Sequence, residues 1–134
     1  MKYIEINDYK DVEKLMKEFC YFHDSCIKEI AYTSGSYVNN DKTMRPINDE
    51  RRVSIILQSQ ISEHRTIELC FELIEKLNLQ PKGEGFESVI YGASLVANDE
   101  LFYWSDWEGL NIKNISEESG TWISAKKVKW CPLL

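Results

Sequence analysis

Val53-Ser54-Ile55-Ile56-Leu57-Gln58-Ser59-Gln60-Ile61 and Ile67-Glu68-Leu69-Cys70-Phe71-Glu72-Leu73 are separated by Ser62-Glu63-His64-Arg65-Thr66. In the first run Val53, Ile55, Leu57 and Ile61 alternate with Ser54, Gln58 and Gln60, and in the second Ile67, Leu69, Phe71 and Leu73 alternate with Glu68, Cys70 and Glu72. A period of two places each apolar set on one face of an extended strand. The two runs therefore predict an antiparallel hairpin with one buried face and one wet face. A one-sided sheet needs a cover, and the segment that can provide it lies upstream.

Tyr9, Val12, Leu15, Met16, Phe19 and Phe22 recur at three- and four-residue spacing, with Lys10, Glu13, Lys14, Lys17 and Glu18 between them. That pattern predicts an amphipathic helix from Asp8, the N-cap, to the neighbourhood of Asp24. Asp11 near its start and Lys17 near its end suit the helix dipole. Cys26 to Thr33 then reads as a strand with imperfect alternation and a bulge, followed by a turn at Ser34-Gly35-Ser36. The polar, Pro46-containing stretch from Asn39 to Arg52 reads as a surface loop.

Beyond the hairpin, Pro81 and Lys82-Gly83-Glu84-Gly85 interrupt the chain. Val89, Tyr91, Ala93 and Leu95 next alternate with Ile90, Gly92, Ser94 and Val96, predicting a strand with the first set on one face. A turn at Ala97-Asn98-Asp99-Glu100 leads into Leu101 to Trp107, and a last strand runs from Thr121 toward Val128 and Trp130. The expected fold is a single α+β domain over 1–134, an N-terminal amphipathic helix packed on a mainly antiparallel, meandering sheet.

The chain has 134 residues, 43% hydrophobic and 28% charged, a balance that supports one sizeable core. Its net charge of -6 argues against direct nucleic-acid or anionic-membrane binding and favours a basic protein partner. Acidic residues in the first eight positions and no span-length apolar run point to the cytoplasm. The four cysteines, Cys20, Cys26, Cys70 and Cys131, form no CxxC pair and read as reduced, mostly buried thiols.

Several constellations bear on chemistry. His23, Asp24 and Ser25 are the residue types of a hydrolase triad, but adjacent residues do not converge as a triad requires, and no Gly-x-Ser-x-Gly elbow exists. Their structural reading is a helix terminus whose polar groups bond backbone. Cys20, His23 and Cys26 are zinc-type ligands, yet their spacing matches no recognised site, so no metal and no cofactor is expected. Tyr103, Trp104, Asp106, Trp107 and Glu108 combine aromatic anchors with an acidic rim, the composition of a protein interface.

Phe22-His23-Asp24-Ser25, followed by Ile27, Ile30 and Tyr32, a hairpin, and Leu101-Phe102-Tyr103-Trp104, resembles a loose family of small bacterial proteins. These carry a Phe-His-Asp-[Ser/Ala] signature before their first long strand, and they include immunity proteins of polymorphic toxin systems. The resemblance implies a cytoplasmic, non-enzymatic protein that neutralises a cognate toxin, with Phe22, His23, Asp24 and Ser25 as signature positions. The first expectation is thus an acidic protein-binding module. One alternative is a small-ligand or glycan-binding β-domain using Tyr103, Trp104 and Trp107 as a stacking platform. Another is an enzyme using His23 and Asp24 as acid and base.

Overall fold

The computed structural model describes residues 2–134 and is an α+β fold with one main helix and a large antiparallel sheet. Strand β1 (Ile4–Ile6) leads into α1 (Tyr9–Glu18), a 3-10 turn (Cys20–Phe22) and β2 (Ser25–Thr33). A small hairpin, β3 (Tyr37–Val38) with β4 (Met44–Arg45), precedes β5 (Arg52–Ser59) and β6 (Thr66–Asn78). After a long connection come β7 (Ser94–Asn98), β8 (Leu101–Ser105), a second 3-10 segment (Ile112–Glu117) and β9 (Trp122–Leu133).

The β5–β6 hairpin forms in the expected phase, pairing Val53 with Phe71, Ile55 with Leu69 and Leu57 with Ile67. All six of these side chains are fully buried, so the period-two pattern does select the core face. β2 joins the other side of β5 with a bulge between Ile27 and Glu29, which accounts for its imperfect alternation. The sheet is not a simple meander: its order is β2-β5-β6-β9-β8-β7, with β9 returning between β6 and β8. The free side of β9 is shared by β8 at Trp122–Ala125 and by β1 at Val128–Trp130. The long β9 can hold two short strands end to end, and nothing in the three residues of β1 announces that role.

Asp8 caps α1, its carboxylate accepting from the Asp11 amide at 3.0 Å, and Val12, Leu15 and Met16 are buried. The helix stops at Glu18, short of the expected end. Cys20, Tyr21 and Phe22 take φ values of 54°, 56° and 63°, a left-handed turn that swings Phe22 beneath the sheet. Its ring meets Phe19 at 5.0 Å and Trp104 at 5.9 Å, both edge-on, and Trp104 also faces Phe71 at 6.4 Å. Left-handed backbone costs about 1–2 kcal/mol per residue, so a turn of this kind needs more than the roughly 1.5–3 kcal/mol that burial of one large apolar side chain returns. Phe22 is fully buried there, and hydrogen bonds from Ser25 Oγ, the Phe22 and His23 amides and the Ala93 amide close the turn.

A second departure concerns the segment before β7. Ile90 and not Tyr91 enters the core, at 3% against 72% exposure, and the regular strand starts only at Ser94. An isolated bridge between Ile90 and Ser25 sets this phase. On the far face of the sheet, Glu68 accepts from the hydroxyls of Tyr3 and Ser54, and Lys129 pairs with Glu72 at 3.2 Å while lying over the Tyr3 ring. The expected wet face is therefore partly covered, and Cys70 and Cys131 are buried in it. Burial pushes the Cys70 thiol up to about 11 against the opposing pull of Lys129, and Glu68 and Glu72 add to the rise.

Two outcomes follow. Phe22→Ala should lower stability by about 3–5 kcal/mol in urea titration, and Phe22→Leu by less than about 1.5 kcal/mol; a loss below about 1 kcal/mol for the alanine variant would show that the ring is not central. Alkylation of the native protein at about pH 8 should modify the half-buried Cys20 and Cys26 before Cys70 and Cys131. Peptide mapping by mass spectrometry reads the order, and early labelling of Cys70 would contradict the burial argument.

Candidate functional site

Phe22, His23, Asp24 and Ser25 sit against the segment between β6 and β7. Ser25 is buried and its hydroxyl donates to the Phe22 carbonyl at 2.6 Å, closing the left-handed turn. The Asp24 amide donates to Ile90 O at 3.0 Å, the Ile90 amide to Ser25 O at 2.7 Å, and the Ala93 amide to Tyr21 O at 3.3 Å. His23 Nδ1 lies 2.7 Å from Tyr91 O, and because a carbonyl only accepts, Nδ1 carries the hydrogen. Asp24 Oδ2 is 3.5 Å from His23 Nε2. Four contacts thus pin Ile90-Tyr91-Gly92-Ala93 against the junction.

That arrangement explains the residue types at the junction in structural terms. The Ser25 hydroxyl is committed to a carbonyl, and His23 holds the Tyr91 carbonyl with one nitrogen and faces Asp24 with the other. Among the described residues, no group of three or more His, Cys, Asp or Glu is placed to hold a metal ion, and Cys20, His23 and Cys26 are not gathered as one.

The pinned segment forms one wall of an open cleft of about 750 Å³. Tyr91 and Gly92 line that wall, Lys82, Gly83, Gly85, Phe86 and Glu87 line another, and Asp106, Trp107 and Glu108 form the floor and rim. Three rings, Phe86, Tyr91 and Trp107, face it together with three carboxylates, Glu87, Asp106 and Glu108, and one cation, Lys82. Phe86 and Tyr91 are 76% and 72% exposed, values that leave most of each ring available for stacking.

Trp107 is held by its own backbone. The hydroxyls of Ser94 and Ser105, both buried, donate to its carbonyl at 2.9 and 2.6 Å. Its indole lies over Gly120, where any Cβ would overlap the ring, and a Cβ at Gly92 would overlap the Glu108 carboxylate. Asp106 and Thr121 exchange bonds, the Asp106 amide to Thr121 O at 3.0 Å and the Thr121 amide to Asp106 Oδ1 at 3.2 Å. Thr121 Oγ1 in turn accepts from the Gln80 amide at 3.0 Å, tying the cleft floor to the end of β6. Asp106 is half-buried, and desolvation raises its carboxyl above the usual range although Lys82 and the Thr121 amide pull the other way.

The interface expected from sequence is therefore divided. Asp106, Trp107 and Glu108 share the cleft, but Trp104 is fully buried at 0% exposure and packs against Phe22, so it cannot meet a partner or serve as a stacking ring. Tyr103 is half-buried and lies outside the cleft lining. Phe86, Tyr91 and Lys82 were missed because their segments carry loop and strand patterns with no sign of convergence. Gly92, next to the exposed Tyr91, and Gly120, before the last strand, were the available signals. No protein-family model, no curated protein and no solved structure matches the chain.

A raised carboxyl means that the folded protein binds the Asp106 proton more tightly than the unfolded chain does, so ionisation of Asp106 costs stability. The cost begins as pH rises through the ordinary carboxylate value of about 4 and is complete above the raised one. Asp106→Asn retains an acceptor for the Thr121 amide and should be more stable than wild type at neutral pH, with the gain shrinking on acidification through that window. Urea midpoints across the pH range report the effect. A variant less stable at neutral pH would overturn this account.

Proposed function

We propose that this protein is an acidic protein-binding module that engages a basic partner through the cleft at Trp107, acting in the cytoplasm as an immunity-type inhibitor of a cognate toxin. The observation that carries the reading is the cleft itself: three rings and three carboxylates against one lysine, with the Trp107 backbone held by two serine hydroxyls. Aromatic anchors are the usual source of binding energy at interfaces, and an acidic rim accelerates and selects basic partners. The net charge of -6 acts in the same direction at longer range. The Phe22-His23-Asp24-Ser25 resemblance supplies the immunity class, and its residues would serve by positioning Tyr91. In this reading α1 is the amphipathic cover for one end of the sheet, leaving the other end to the cleft-forming segment.

A second reading is favoured by the exposed rings: a small ligand or glycan stacked on Phe86, Tyr91 and Trp107. The platform first expected from Tyr103, Trp104 and Trp107 is excluded by the burial of Trp104.

The test is affinity purification of the tagged protein from its native host at low salt, in parallel with Trp107→Ala. A basic protein retained in stoichiometric amount by wild type, lost with Trp107→Ala and associating more slowly as salt rises, is the expected result. A partner bound equally by both forms would remove the cleft from the interface. Tryptophan fluorescence that responds to a sugar panel while no protein is retained would favour the glycan reading.

A further inference from the structure

A second cavity of about 240 Å³ adjoins the cleft, and the two share Lys82 and Asp106. Ile27, Ile30, Leu79, Pro81 and Ile90 form the apolar part of its wall, and Gln80, Ser88 and Thr121 line the rest with the two shared residues. Asp106 thus stands at a seam, with aromatic rings on one side and aliphatic side chains on the other. Oδ1 accepts from the Thr121 amide, and among the described residues no lysine, arginine or histidine forms an ion pair with this carboxylate. Lys82 lines both cavities without reaching ion-pair distance of it.

We propose that the Asp106 seam is a guanidinium subsite, which receives an arginine side chain of the bound partner between the carboxylate and the ring of Trp107. This rests on the protein-binding reading of the same cleft and specifies what is read there. A half-buried carboxylate with no ion-paired cation carries a desolvation cost, which the more distant Lys82 offsets only in part and a cationic guest relieves. A guanidinium meets both features at once, since it pairs with a carboxylate through its N–H fork and stacks its planar face on an aromatic ring. An ammonium on a lysine stem pairs as a point charge and uses the ring less well. The aliphatic side chains on that side and the partial burial of Asp106 lower the local dielectric, which strengthens the pairing relative to an exposed surface carboxylate. Glu108, whose carboxylate lies over Gly92, and Glu87 add negative potential at the entrance. Trp107 is suited to be the stacking surface because its carbonyl is clamped by two buried serines and its ring by the Gly120 backbone, so little freedom is lost on binding.

The experiment titrates the isotope-labelled full-length protein at low ionic strength with N-acetylarginine N-methylamide, its citrulline counterpart and its lysine counterpart. Resonances of the Trp107 indole and of the Gly92 and Thr121 amides are followed by NMR. Arginine should move all three, the uncharged citrulline should bind at least about tenfold more weakly, and lysine should fall between them. Asp106→Asn, which the fold tolerates on the argument above, should lose the arginine response by a similar factor, whereas Glu63→Gln in the β5–β6 turn should keep it. Equal responses to arginine and citrulline, or an undiminished response in Asp106→Asn, would overturn the subsite. If arginine moves nothing while a captured protein partner still shifts the Trp107 indole, the guanidinium assignment falls and the binding-module reading stands. If neither moves it, both fall.

Discussion

Trp104 is the meeting point of three parts of the chain that are far apart in sequence. Phe22, from the turn after the helix, packs edge-on against it at 5.9 Å, and Phe71, from the middle of the central hairpin, approaches it at 6.4 Å. Phe22 reaches this position only because the backbone reverses into a left-handed turn after Glu18. Placing that ring in the core therefore dictates where α1 ends, where β2 begins and which atoms of the junction face outward. The polar groups of His23, Asp24 and Ser25 are then used to satisfy the reversed backbone and to hold the segment at Tyr91.

This couples the core to the surface in a direct way. The same junction that buries Phe22 presents the Tyr91 carbonyl to His23, and the same strand that buries Trp104 continues into Asp106 and Trp107. One wall and the floor of the cleft are thus each within a few residues of the aromatic core. A site built on such supports loses little conformational freedom when a ligand binds, which is the condition for using exposed rings efficiently. The raised carboxyl of Asp106 is the corresponding cost, a group less comfortable in the folded state than in water.

The strong regular patterns were legible. Val53 to Leu57 and Ile67 to Phe71 alternate cleanly because one face is buried along their whole length, and their pairing agrees with that pattern. Phe19 and Phe22 misled at the helix end, since a spacing of three residues suits a continued helix and a tight turn equally well. The run from Val89 to Leu95 has apolar residues in both phases, which suggests a strand starting too early and names no buried face; the bridge to Ser25 decides that Ile90 goes in and Tyr91 goes out. Trp104 and Trp107 are indistinguishable as residue types, and their opposite fates depend on which face Phe22 and Phe71 occupy.

By itself the sequence determined the acidic charge, the central hairpin and its buried face, and the helix start at Asp8. These are local properties, set by side-chain period, capping chemistry and composition within a few residues. The tertiary structure alone decided the return of β9 between β6 and β8, the burial of Trp104, and the convergence of Phe86, Tyr91 and Lys82 on Trp107. Those features arise from contacts between residues tens of positions apart, whose free energies appear only when the chain has closed around its core.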